Sequence, residues 1–208
     1  MDNTESRAAV QRDEFADYLN VGTLEKPNYV LMGVGFTTLN ESPGAKTKTK
    51  KYVNERTSST SIVSYESKFP FESDLIKSQE AVIALYNVGR NHYTGADTEF
   101  DYVRVELWDK IEKNVFAARK FKVAAEISDI SGEDDQVVKG NLNAIGDPVF
   151  GVFNTETKMF TETSEKDENI SGGSGTEGTG SETEETGSKT EETGSKTEET
   201  GSEAEGTE

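Results

Sequence analysis

Three carboxylates, Asp97, Glu99 and Asp101, are spaced by two. On an extended strand that spacing places all three on one side, a donor set suited to a hard cation. The glycine and the terminal bidentate glutamate of a calcium loop are missing, so the expected role is a solvated turn entering a strand. The acidic run Glu133-Asp134-Asp135 after Gly132 has the same status. His92 is the single histidine and cysteine is absent. A His-based metal centre, a thiolate site, a disulfide framework and a catalytic triad therefore all lack partners. His92 follows a helical stretch, where capping is the ordinary role. Gly33-Val34-Gly35 lacks the third glycine of a dinucleotide fingerprint and opens no helix. Asn40-Glu41-Ser42 and Asn169-Ile170-Ser171 match the glycosylation pattern by chance. No constellation supports catalysis, and no metal or cofactor is expected. What remains is a group of cations, Lys46, Lys48, Lys50 and Lys51, which could meet phosphate or an acidic protein surface.

Those lysines lie in Thr37 to Arg56, where Lys and Thr alternate with no apolar partner. The pattern predicts a long excursion from the body, a β-ribbon, and coreless loops of this length tend to be functional. Ser59 to Tyr65 predicts a polar, edge-like strand. Upstream, Tyr29 to Phe36 is an apolar run that predicts one strand buried on both faces, with Gly33 and Gly35 on the same face for close packing against a neighbour. Phe15, Tyr18, Leu19 and Val21 could pin an N-terminal arm. Ala81, Val82, Leu85 and Tyr86 predict a helix over Ser73 to Val88, capped by Ser73 or Ser78 and closed by Gly89. Val103, Val105 and Leu107 alternate with Tyr102, Arg104, Glu106 and Trp108, a strand with one polar face.

From Phe116 to Phe160, Phe121, Val123, Ala125 and Ile127 share a face opposite Lys120, Lys122 and Glu126. Turns at Gly132 to Asp135 and at Gly146-Asp147-Pro148 divide this stretch into an antiparallel meander. About seven strands and one helix predict a mainly β fold: a β-sandwich of antiparallel strands with one flanking α-helix, a long extended loop and a disordered C-terminal tail.

Charge divides the 208 residues unevenly. Residues 1–160 carry 25 acidic and 19 basic side chains, a net of −6, and residues 161–208 carry 15 and 3, a net of −12. Three divisions are expected: a flexible segment at 1–13, a domain at 14–160, and an acidic low-complexity tail at 161–208. The tail repeats every seven residues, as in Gly187-Ser-Lys-Thr-Glu-Glu-Thr193, without one apolar position, so it is no coiled coil and is expected to be disordered. Six such tails would crowd a DNA-wide bore, so they are expected to project outward as a polyanionic brush. The acidic balance argues against tight phosphate binding, though not against proximity to DNA, since a surface that lets DNA slide should not attract it. Neither a signal peptide nor a membrane span is expected, and a soluble, cytoplasmically made protein is.

Gly140-Asn141-Leu142-Asn143-Ala144, then Gly146-Asp147-Pro148-Val149 and Gly151-Val152-Phe153, resemble the C-terminal block of phage major tail proteins, the tube subunits of long non-contractile tails. Ala16 to Gly22, Tyr52 to Asp74 with its Phe69-Pro70-Phe71-Glu72-Ser73-Asp74 ending, and Thr94-Gly95-Ala96-Asp97 resemble that family too. The resemblance spans residues 14–160. It implies rings of six subunits stacked into a hollow tube that delivers DNA, with the lysine loop reaching the next ring and the inner sheets joining into one barrel. The implied partners are other copies of the chain, terminator, tape measure and baseplate initiator proteins, and DNA in transient, non-specific proximity, with no membrane. The implied place is the virion tail, assembled in the bacterial cytoplasm. Two alternatives stand: the tube of a contractile tail or phage-tail-like injection particle, and a surface carbohydrate-binding sandwich on a Ser/Thr-rich stalk. An enzyme is a distant third.

Overall fold

A computed structural model describes residues 9–23 and 25–163. The expected acidic tail from residue 164 onward and residues 1–8 of the N-terminal segment lie outside them, and with them the expectations of disorder and of an outward brush for that tail. Among the described residues are eleven strands and one α-helix. In chain order they are β1 (Phe15–Asn20), β2 (Tyr29–Leu31), β3 (Phe36–Leu39), β4 (Ala45–Lys50), β5 (Ser59–Tyr65), β6 (Lys68–Asp74), α1 (Glu80–Asn91), β7 (Glu99–Glu112), β8 (Val115–Ser131), β9 (Val137–Ala144), β10 (Val149–Asn154) and β11 (Met159–Glu162). Nine strands form one antiparallel sheet, while β4 and β5 form a separate two-stranded one. The fold is mainly β and sandwich-like with one helix, as expected, with eleven strands in place of seven.

The long strand β8 organises the sheet. One of its edges pairs with β7, and the other is shared, by β10 along Val115–Lys120 and by β9 along Val123–Ser131. The sheet therefore forks. The expected meander holds for the β8–β9 hairpin but not beyond it, because β10 returns to β8 and leaves β9 to pair with β6.

Two cores form on opposite faces. Leu19, Phe69, Phe71, Tyr102, Phe121, Val123 and Leu142 meet the helix residues Ala81, Leu85 and Val88 on one side. Tyr18, Tyr29, Val103, Val105, Ala118 and Phe153 meet on the other. The sheet curls around this second core until Tyr29 of β2 stands 5.7 Å, ring centre to ring centre, from Phe153 of β10. β1 and β7 lie between the cores, so adjacent residues point into different ones. This corrects the one-sided reading of β7: Tyr102, Val103, Arg104 and Val105 are all buried.

Further expectations are corrected. The run Tyr29 to Phe36 is two strands, because the chain turns at residues 32–35, where the Phe36 N–H donates to the Gly33 carbonyl at 3.1 Å. Gly33 and Gly35 thus share no strand face. Gly35 has φ +94°, and a Cβ there would lie 3.2 Å from Ile76 Cδ1 and 3.3 Å from the Asp74 carbonyl oxygen. A Cβ on Gly33 would meet nothing nearer than the end of the Leu31 side chain at 3.3 Å. The helix begins at Glu80, because Phe69, Phe71 and Ser73 alternate inward and pair as β6 with β9 along their whole length. Neither Ser73 nor Ser78 caps it. Gly89 lies within the helix, where its missing Cβ admits Ile127 of β8, and His92 ends the helix at φ 53° in the expected capping position.

Candidate functional site: a projecting ribbon and its ionic root

The four singled-out lysines lie on or beside the β4–β5 ribbon. Ala45, Thr47 and Thr49 stand opposite Tyr65, Ile62 and Thr60, and Lys46, Lys48 and Lys50 stand opposite Ser64, Ser61 and Ser59. Cross-strand partners share a face, so the ribbon has a lysine–serine face and a threonine–aliphatic–aromatic face. A register shift between Lys46 and Thr47 leaves Val63 as a bulge. Every residue of both strands is exposed. Lys46 pairs with Glu66 at 2.9 Å, and among the described residues Lys48, Lys50 and Lys51 make no ion pair.

The ribbon joins the body at a narrow root. Ser42 and Lys68 exchange two backbone bonds of 2.8 Å, and the Glu66 N–H donates to the Gly44 carbonyl at 3.1 Å. Gly44 has φ +63°, and any Cβ would fall 2.3 Å from the Glu66 carbonyl oxygen, so only glycine fits this crossing.

Beside the root lies an ionic cluster that sequence reasoning missed. Asp17, Arg104 and Arg119 form one cross-strand row over β1, β7 and β8. Asp17 accepts hydrogen bonds from the Tyr102 hydroxyl and from Arg12 Nη2, while Arg104 Nε stands 3.7 Å away. Glu41, three residues before Gly44, accepts from Arg119 through both oxygens, at 2.8 and 3.0 Å, and lies 3.5 Å from Arg104 Nη1. Glu106 flanks Arg119 at 3.4 Å. Arg12 Nη2 also donates to the Leu39 carbonyl at 3.2 Å.

Burial raises the Tyr102 hydroxyl pKa well above its usual value, and the Asp17 charge adds to this. Burial also raises the Glu106 carboxyl, against the opposing pull of Arg119. For Arg119, burial acts to lower the pKa, but the hydrogen bonds and charge of Glu41 outweigh it and hold the guanidinium above its usual range. Tyr29, in the second core, is pushed up to about 12 by burial and then by Asp101. The cluster is a network of ion pairs in which Arg104 Nε and Nη1 are buried beside Asp17 and Glu41 without a hydrogen bond.

The other candidate residues are dispersed. Asp97 lies in the 3-10 turn Gly95–Thr98, Glu99 pairs with Lys122 at 2.6 Å, and Asp101 stands across from Lys122. Among the described residues no three His, Asp or Glu side chains are grouped to hold a metal ion. No helix of the described residues is long and apolar enough to cross a membrane.

No protein-family model matches this chain, and no curated protein does. Fifteen chains of solved structures resemble its fold, two of which follow. A chain of the anti-feeding prophage baseplate, six-fold symmetrised, is 10% identical, with 69% of this chain and 94% of that one covered at a TM-score of 0.41. A chain from the tail of an empty GTA particle with C6 symmetry is 10% identical, with 68% and 98% covered at a TM-score of 0.43.

Proposed function

We propose that this chain is a structural subunit of a phage tail, the tube subunit of a long non-contractile one. Copies assemble into rings of six, and the rings stack into a tube that delivers DNA to the host. The observation that carries this reading is the ribbon. An isolated two-stranded hairpin is at best marginally stable in water. This one leaves Ile62, Val63 and Tyr65 each more than half exposed and has no core of its own. A neighbouring copy that covers it resolves both problems. The lysine face suits an acidic partner, and a second copy of a chain with net charge −18 is one.

The forked sheet supports the same reading. Its ends at β2, β3 and β11 leave backbone groups that a neighbour can pair, and a head-to-tail contact that closes on itself makes a ring. The sequence resemblance over residues 14–160 supplies the ring size and the partners: terminator, tape measure and baseplate initiator proteins. In this reading the chain is not an enzyme. It is assembled in the bacterial cytoplasm, resides in the virion tail, and meets DNA only in passing. Gel filtration and negative-stain microscopy of the purified protein test it. Hexamers or hollow tubes are expected, and a monomer at every concentration would sink the proposal.

A further inference from the structure

We propose that the apex of the β4–β5 ribbon, Tyr52 and Val53, is a knob that enters a recess between β1 and β3 of a second copy of the chain. The inference rests on the proposed self-assembly and names the surface that receives the ribbon. At the far end of the ribbon the chain makes a turn from Tyr52 to Glu55, closed where the Glu55 N–H donates to the Tyr52 carbonyl at 3.1 Å. Its central positions are Val53 and Asn54. Asparagine suits such a turn, but the first central position ordinarily takes proline or a small polar residue. Val53 is fully exposed there, and Tyr52 is more than half exposed. Apolar side chains scattered singly on a surface need no explanation, but these join Ile62, Val63 and Tyr65 on one projecting element. Every residue from 45 to 65 is exposed, so the apex enters no recess of its own chain.

The recess follows from the way the sheet ends. β2 pairs with β1 only along Tyr18–Asn20, and β3 turns away at residues 32–35 to pair with β6. Among the described residues, Phe15 and Ala16 are thus left with no strand beside them on that edge. The gap between β1 and β3 has a volume of about 630 Å³, and Phe15, Leu31, Phe36, Leu39 and Leu107 line it. Its size and lining suit large apolar side chains. Charge favours the same match. Residues 45–65 carry five basic side chains and one acidic, a net of +4, and the rest of residues 1–160 carry 14 basic and 24 acidic, a net of −10. Lys50, Lys51 and Arg56 flank the apex. At the recess Arg12 is engaged by Asp17, while Asp13 is exposed and, among the described residues, in no ion pair. An apolar knob flanked by cations therefore meets an apolar recess bearing an unpaired carboxylate. Every copy carries both knob and recess, so the contact is head-to-tail and can propagate from copy to copy.

A photoreactive side chain at the apex tests this directly. The full chain with benzoylphenylalanine in place of Tyr52 is mixed with an isotope-labelled native copy, allowed to associate and irradiated. Mass spectrometry is expected to find the apex linked to residues 12–17 or 31–39 of the labelled copy. Val53→Asp should weaken association at least about tenfold, because it asks an apolar recess to take a carboxylate. Its thermal unfolding should match the native chain, since Val53 touches nothing in its own body. Rings or tubes whose apex links elsewhere, or not at all, overturn the recess and leave the tube reading standing. So does a Val53→Asp chain that associates normally. Apex-to-recess links in particles that are neither rings nor tubes keep the recess and remove the tube. A monomer at every concentration overturns both.

Discussion

Arg104 and Arg119 face each other directly across β7 and β8, and both reach the carboxylate of Glu41. Like charges opposite one another in a sheet repel. Their juxtaposition persists because Asp17, Glu41 and Glu106 surround them, two of these carboxylates on the same strands or the next and the third from the ribbon root.

Asp17→Asn should be among the most damaging conservative changes in the chain. It removes the charge facing Arg104 while leaving that guanidinium buried, and it weakens the acceptor of the Tyr102 hydroxyl. Breaking a buried pair from one side costs about 3–5 kcal/mol. Urea unfolding of the variant measures this directly, and a loss below about 1 kcal/mol would show the cluster to behave like a surface pair.

Glu106 should make stability fall as pH rises. Its folded-state pKa is raised, so its protonated form is favoured by the fold. That contribution is full below the unfolded pKa and disappears as pH climbs through the folded one. Glu106→Gln keeps the neutral form at every pH, so its stability relative to the native chain should improve from acid to neutral. Parallel urea titrations at several pH values decide it, and a variant that loses ground on the way to neutrality contradicts the assignment.

The two glycines of the β2–β3 turn should behave differently. At φ +94° a side chain on Gly35 is strained, so Gly35→Ala should cost about 1–3 kcal/mol and Gly35→Val more. Gly33→Ala should stay within about 0.5 kcal/mol. Thermal melts of both variants are sufficient, and equal losses would show that the turn does not depend on the left-handed backbone at Gly35.

Excising the ribbon should separate folding from assembly. Gly44 and Glu66 are already joined by a backbone bond, so deleting residues 45–65 and linking them leaves the root closed. The shortened chain is expected to melt within a few degrees of the full one and to form no tubes in the microscope. Tubes of normal length and yield from this variant would show that the ribbon does not stack the rings.

The ribbon was legible because its signal is local: lysine and threonine alternate in β4, serine marks β5, and neither strand has a core pattern. The inner face of β8 was legible for the same reason. The ionic cluster was not, because Arg12, Asp17, Glu41, Arg104 and Arg119 are gathered from distant parts of the chain by strand register. One signal did point to it. The period-two face through Phe121, Val123 and Ala125 runs back onto Arg119, an arginine in an apolar row that requires a carboxylate from elsewhere. The break at residues 32–35 was hidden by its apolar neighbours, and the second core could not be read from β7 alone, because it depends on the fork at β8.

That fork also sets a schedule for the growing chain. Before residue 99 leaves the ribosome, the strand pairings available among the described residues are β1 with β2, β3 with β6 and β4 with β5. β1 then waits for β7, and both branches of the sheet wait for β8. Long-range pairings of this kind form late. The β4–β5 hairpin, a local pairing, is therefore complete while the body is still unfinished, with Ile62, Val63 and Tyr65 exposed among other nascent chains. Until Arg119 is synthesised, Glu41 lacks the guanidinium that binds both of its oxygens. A chain still being made thus presents this exposed hairpin before either branch of its main sheet can close.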